Sequence, residues 1–222
     1  MRGCLKACAV WHDWTARQLA ERALSDWRSA GASTFIVGIC GPPGAGKSTL
    51  AGQLVEEIEA AAGSRIAELC PMDGFHFSNE RLARMGRARY KGAIDTFDVD
   101  GYASMLEKLR RGEREFFCPI YSREIHEVVA DGIWIGKDVR CIVTEGNYLL
   151  CQSGRWATLK ALLDLKIYLR AEEPVIGERL HARHMTGGMN AAEAARKVAE
   201  TDLPNATLIA KSEHLADLIL MA

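Results

Sequence analysis

The stretch from Phe35 to Thr49 constrains this chain more than any other. Phe35-Ile36-Val37-Gly38-Ile39-Cys40 is a short apolar run of the kind that forms a buried strand. It leads directly into Gly41-Pro42-Pro43-Gly44-Ala45-Gly46-Lys47-Ser48-Thr49, which spells G-x-x-x-x-G-K-S. Backbone N–H groups converge on phosphate oxygens only where side chains do not intervene, so glycines occupy the wrapped positions. Lys47 supplies a point charge for the outer phosphates and Ser48 a hydroxyl for Mg2+. The helix that opens here turns its positive end toward the anion. A bound nucleotide is expected; the loop alone leaves open whether its phosphate is transferred, hydrolysed or sensed.

At 222 residues, 48% hydrophobic and 26% charged, the chain suits a single domain of an ordinary soluble globular protein. A net charge of −1 gives no global field to recruit nucleic acid or an anionic membrane. Cysteines fall at 4, 8, 40, 70, 118, 141 and 151, with no C-x-x-C pair. That pattern points to reduced thiols in a cytoplasm rather than a disulfide framework or zinc site. Near the start, Ala7-Cys8-Ala9-Val10-Trp11 is too short for a signal peptide and is ended by His12-Asp13, so a frayed leader is expected. No apolar run is long enough for a membrane span.

Periodicity predicts a helix over 14–30 within an N-terminal segment 1–31, a strand at 34–40, and a helix from Lys47 to Ala62 ended by Gly63. A second strand at 65–70 stops at Pro71, and helices follow near 78–86 and 99–111, the latter capped by Asp98 or Asp100. Alternation across 114–137, with turns at Ser122-Arg123 and Asp131-Gly132, reads as a small antiparallel β excursion. Strands are expected at 139–144, 165–169 and 215–220. Helices over 172–185 and 190–201 flank Gly187-Gly188 and form a helical lid region at 171–200. Strands alternating with helices give an α/β fold, a mainly parallel sheet covered on both faces, with ligands at the strands' carboxyl ends.

Three sites on this plan carry chemistry. Asp73, at the end of the second strand in Met72-Asp73-Gly74, suits a base that takes a proton from an attacking hydroxyl; it equally suits a turn cap, because Asp-Gly is a common turn pair. Glu145, at the end of the strand at 139–144, can orient the Mg2+ water shell opposite Ser48 or cap the next segment. Arg179 and Arg183, four apart, share a helix face before the Gly-Gly break. They either neutralise a transferring phosphoryl group from a closing flap or form a solvated basic face. His181 and His184 have the spacing of a metal pair without a third ligand nearby. The basic residues from Arg81 to Lys91 lack interleaved aromatics and read as surface, except Lys91 beside Gly92.

Five ordered motifs carry a resemblance to a known family. They are Gly41–Thr49, Asp73-Gly74-Phe75-His76 with Asn79 and Leu82, Lys91-Gly92 with Thr96-Phe97-Asp98, Pro119-Ile120-Tyr121-Ser122, and Glu145-Gly146-Asn147. Over about 34–220 the chain resembles the P-loop kinases that include pantothenate kinase, uridine kinase and phosphoribulokinase. Glu145–Leu150 and Asp202–Ala206 look closer to the nucleoside/nucleotide kinase-like or fructose-transport-system kinase-like branch. The resemblance implies the P-loop nucleoside triphosphate hydrolase fold, with Asp73 as catalytic base and Glu145 near Mg2+. It also implies Arg179 and Arg183 as lid arginines, and His76, Lys91, Tyr121 and Arg123 around the acceptor. Asn205 would lie near the adenine.

The expectation is therefore a cytoplasmic, ATP- and Mg2+-dependent kinase of a small hydroxyl-bearing metabolite: a sugar, a nucleoside or a pantothenate-like compound. No nucleic-acid or membrane partner is expected, and a homodimer is compatible with the sequence. The alternative from another class is a regulator whose loop only senses or slowly hydrolyses ATP.

Overall fold

The computed structural model describes residues 14–222. The expected leader, with Cys4 and Cys8, lies outside the described residues. The first helix, α1 (Ala16–Ala30), opens at Thr15, whose hydroxyl and Gln18 form a reciprocal capping box, and closes on Gly31 at φ 59. Strand β1 (Phe35–Cys40) follows, and the Gly-rich loop joins it to α2 (Lys47–Ala62).

The chain then builds β2 (Ala67–Leu69), a 3₁₀ turn at Met72–Phe75, α3 (Asn79–Arg84) and α4 (Val99–Arg110), which is capped by Asp98. A two-stranded ribbon, β3 (Phe116–Ser122) and β4 (Glu127–Ile135), leaves the main body and returns to β5 (Cys141–Gly146). Strand β6 (Leu165–Arg170), helices α5 (Glu173–Thr186), α6 (Ala191–Lys197) and α7 (Leu203–Ala210), and strand β7 (Leu218–Met221) complete the order.

The main sheet is β2-β5-β1-β6-β7, with every pairing parallel. Period-two alternation divides β1 between two cores. Phe35, Val37 and Ile39 pack with Leu19, Leu24, Leu54 and Ile58 of α1 and α2. Ile36 and Cys40 face the other way, toward Tyr102, Leu106 and Leu109 of α4. Buried strands of this kind need no polar face, which is why β1 reads as a continuous apolar run and β5 as one as far as Val143. Cys40, Cys70, Cys118, Cys141 and Cys151 are buried free thiols. Among the described residues no helix is long and apolar enough to cross a membrane.

Three expectations are corrected. Asp131-Gly132 is not a turn, because β4 runs through it. The ribbon's register shifts between Cys118 and Ile120, and a Cβ on Gly132 would stand 2.6 Å from Ile120 Cγ1, so the glycine makes room inside a bulged pair. The helix expected over 190–201 ends at Lys197 and passes through a π turn, Val198–Asp202, into α7. Pro204 follows directly on the π turn, whose last bond runs from Leu203 N–H to Val198 O, so the residue with no N–H falls where the hydrogen-bond ladder changes register. Finally, the last strand begins at Leu218, because Glu213–Leu215 forms a 3₁₀ turn.

Candidate active site

Parallel register sets the geometry. Ile39 of β1 lies beside Glu145 of β5 and Cys40 beside Gly146, so the end of β5 meets the start of the Gly-rich loop. Gly44 at φ 79 and Gly46 at φ 91 take the left-handed conformations that aim successive backbone groups into one concavity. Lys47 is 7% exposed, and its Nζ donates to Pro42 O at 2.9 Å and to Asn147 Oδ1 at 2.8 Å. Burial lowers its pKa, and the carboxylates of Glu145 and Asp73 oppose that shift.

Ser48 Oγ donates to Glu145 Oε1 at 2.9 Å. A hydroxyl and a carboxylate converging beside a phosphate cradle fit a hard divalent cation such as Mg2+. Glu145 is 6% exposed, and burial, then the neighbouring Asp73, push its pKa up, against Lys47 and the Ser48 hydrogen bond. A cation at that oxygen pair would hold the carboxylate ionised.

Strand β2 is the other neighbour of β5, so the turn that follows it reaches the same end of the sheet. Asp73 lies in that turn, and its Oδ2 is 3.6 Å from a terminal nitrogen of Arg123. Gly74 lets the turn pack against β3: a Cβ there would stand 2.0 Å from Pro119 O. His76 Nδ1 lies 2.8 Å from Asp73 O. A carbonyl only accepts, so Nδ1 carries the proton and Nε2 is the ring's acceptor. Burial lowers the His76 pKa, and Asp73 opposes the shift. The His76 ring stacks at 4.0 Å on Phe97 and 5.0 Å from Tyr121. Lys91 Nζ sits 4.8 Å from the Tyr121 centroid, donating to Asn79 Oδ1 at 2.6 Å and His126 O at 2.9 Å.

Arg179 reaches back to the loop, donating to Gly44 O at 3.3 Å. Arg183, one turn on, lines the same cleft. Desolvation and repulsion from Arg123 lower its pKa, while Asp202, Asp73 and Glu145 oppose the shift. A cavity of about 890 Å3 joins these groups, with Lys47, Asp73, Tyr121, Arg123, Glu145 and Arg183 on its walls. A smaller cavity of about 540 Å3, with Trp14, Leu50, Gln53 and Leu169 among its walls, flanks the other side of the loop.

The structure thus gathers the expected residues around one cleft, Asn205 among them. Asn205, expected beside adenine, lines the larger cavity and donates to Gly92 O at 3.3 Å. His181 and His184 do not pair: His184 Nε2 is 2.7 Å from Asp202 Oδ2, and His181 Nε2 approaches Ala191 O. Among the described residues no cluster of three or more His, Cys, Asp or Glu side chains forms a metal site. Sequence reasoning missed Asn147, which holds Lys47, and the clamp of Asn79 and His126 on Lys91. Both asparagines stood in the ordered motifs without an assigned contact, whereas His126 carried no signal.

A phosphate loop after β1, carboxylates at the ends of two neighbouring strands and arginines on a flanking helix define a P-loop kinase. The family model described as phosphoribulokinase/uridine kinase matches residues 36–212, and the chain belongs to that family. A provisionally named uridine kinase of Schizosaccharomyces pombe is 35% identical over 83% of this chain and 82% of its own length. The pantothenate kinase of Leifsonia xyli is 29% identical over 77% of this chain, which spans 54% of that enzyme. A provisionally named fructose transport system kinase from Silicibacter sp. TM1040 has a solved structure that superposes with a TM-score of 0.84 at 32% identity. That match covers 93% of this chain and 98% of the other. The protein is an ATP-dependent kinase of a small molecule.

Proposed function

We propose that the protein moves the γ-phosphoryl group of ATP to a hydroxyl of a small metabolite, a sugar, a nucleoside or a pantothenate-like compound, with Asp73 as base. The observation that carries this is topological. Because β5 lies between β1 and β2, Asp73, Glu145 and the Gly-rich loop share one end of the sheet and one cavity.

Asp73 accepts the proton of the acceptor hydroxyl as that oxygen bonds to the γ-phosphorus and the bond to the β–γ bridging oxygen breaks, releasing ADP. Lys47 shifts from Pro42 O and Asn147 to the outer phosphates, which its three donors and its charge suit. Ser48 and Glu145 would hold Mg2+, which supplies neutralisation of charge on the phosphate oxygens. Arg183 takes up charge on the transferring group from the lid, and Arg179 fixes the lid to the loop. Relatives named for uridine, pantothenate and fructose transport support a small hydroxyl acceptor.

Asp73→Asn tests the assignment. The variant is expected to bind ATP as the parent does and to lose about 10²- to 10⁴-fold in kcat, the usual contribution of a positioned base. A coupled ADP-release assay with fructose, ribose, uridine, pantothenate and glycerate supplies the readout. Turnover near the parent rate would remove Asp73 from the role.

A further inference from the structure

Two cations on the wall of the larger cavity, Arg123 and Lys91, have donors left over. Among the described residues Arg123 has Asp73 Oδ2 as its ion-pair partner at 3.6 Å, too long for a good hydrogen bond. A guanidinium carries five donors in a plane, so most of this one's capacity faces the cleft or solvent.

The turn that bears it is nevertheless pinned. His126 adopts φ 52, which points its carbonyl at Asn79 Nδ2 (3.0 Å) and Lys91 Nζ (2.9 Å). Glu127 Oε2 accepts from the Asn79 backbone N–H at 3.0 Å. Lys91 spends two of its three donors on Asn79 and His126, and keeps one. Its own loop is fixed from the lid side, where Lys197 Nζ donates to Arg89 O at 3.1 Å and Lys91 O at 2.8 Å. Lys91 is thus pre-positioned and the turn that bears Arg123 is anchored, which lowers the ordering cost of binding.

The carboxylates of the cavity each have a partner or a role. Glu145 accepts from Ser48, and Asp202 is 2.7 Å from His184. Asp73 is the base under the reading above. Those carboxylates keep lone pairs for hydroxyls, but the donors left over on Arg123 and Lys91 find no further anion among them. Arg183 also repels Arg123 across the cleft; a negative group between them relieves that.

We propose that the acceptor carries an anionic group, a carboxylate or a phosphate, held by Arg123 and Lys91 on the wall of the larger cavity. This rests on the kinase reading and narrows its substrate. A planar guanidinium fork beside an ammonium is the donor set that carboxylates and phosphates share. Tyr121, under Lys91, and Phe97, against His76, give the acceptor's carbon skeleton an apolar wall.

Matched acceptors test it on the full-length protein saturated with ADP and Mg2+, so that the Gly-rich loop is filled. The pairs are glycerate with glycerol, pantothenate with pantothenyl alcohol, and ribose 5-phosphate with ribose; the first two probe a carboxylate and the third a phosphate. Thermal shift reads binding, and ADP release from ATP reads transfer. At least one anionic member should raise the melting temperature above its neutral twin. Arg123→Ala and Lys91→Ala should each weaken that binding about tenfold to a hundredfold, the usual loss for a hydrogen bond to a charged group. Arg123→Lys should restore part of it, and all three variants should keep the parent's affinity for ADP.

The proposal is overturned if neutral twins bind or turn over as well as their anions, if no anion outperforms its twin, or if anion binding survives both alanine variants. Arginine-dependent anion binding without phosphorylated product would instead sink the kinase reading and leave the anion site standing.

Discussion

Gly74 shows how a single residue can couple packing to chemistry. Its Cα faces Pro119 O so closely that an added Cβ would lie 2.0 Å from that oxygen. Neither neighbour is a flexible side-chain end, so Gly74→Ala must move the turn or the ribbon. Overpacking of this kind costs about 1–3 kcal/mol, and the displaced turn carries Asp73. The variant should lower the midpoint of denaturant unfolding and reduce kcat by more than it raises the KM for ATP. An unchanged kcat would mean that the turn's position is not what sets Asp73. The same scale explains what the sequence could and could not reveal. Lys47 and Ser48 were legible because their partners in function are defined by local spacing. Asn147 lies 100 residues from the lysine it holds, and His126 lies 35 from Lys91. Such pairings follow from tertiary folding and leave no periodic trace in the chain.

At the scale of elements, the α5–α6 hairpin depends on its ends more than on its length. Helix α6 contributes seven residues to a helical run that continues through the π turn into α7. Its start is fixed by Asn190, which accepts from Glu193 N at 2.9 Å, while Glu193 Oε2 accepts from Asn190 N at 3.1 Å. Its other end holds Lys197 against the loop of Arg89 and Lys91. Asn190→Ala should therefore cost about 1 kcal/mol locally, the typical worth of such a cap. Hydrogen exchange across 191–197 should accelerate, with β1 and β5 unaffected. Equal acceleration throughout would show that the hairpin does not open independently. The capping pattern made the start of α6 readable from sequence. The π turn at Val198–Asp202 was not, because its extra residue places Asp202 against His184, a contact made between helices.

For the whole molecule, the alternation of strands and helices announced an α/β sheet, but not its order. That β5 inserts between β2 and β1 is decided by packing on both faces, and it is this order that unites Asp73 with Glu145. The resulting cleft is partly desolvated, and global stability should register it through pH. His76 has a folded pKa below its ordinary value, first because it is buried, while in the unfolded chain it titrates near about 6.5. Between those two values the unfolded state binds the proton and the folded state does not, so unfolding free energy rises with pH across that window. The contribution is complete above about pH 6.5 and is lost as pH falls toward the folded pKa. Glu145, with its raised pKa, acts in the opposite sense above the ordinary carboxylate range. A difference measurement separates them: denaturant unfolding of the parent and His76→Gln at pH 5 and pH 7.5, without nucleotide. Glutamine does not titrate, so the parent should lose more stability on acidification than the variant does, while Glu145 contributes equally to both. Equal losses would mean that the His76 proton is not excluded from the folded cleft.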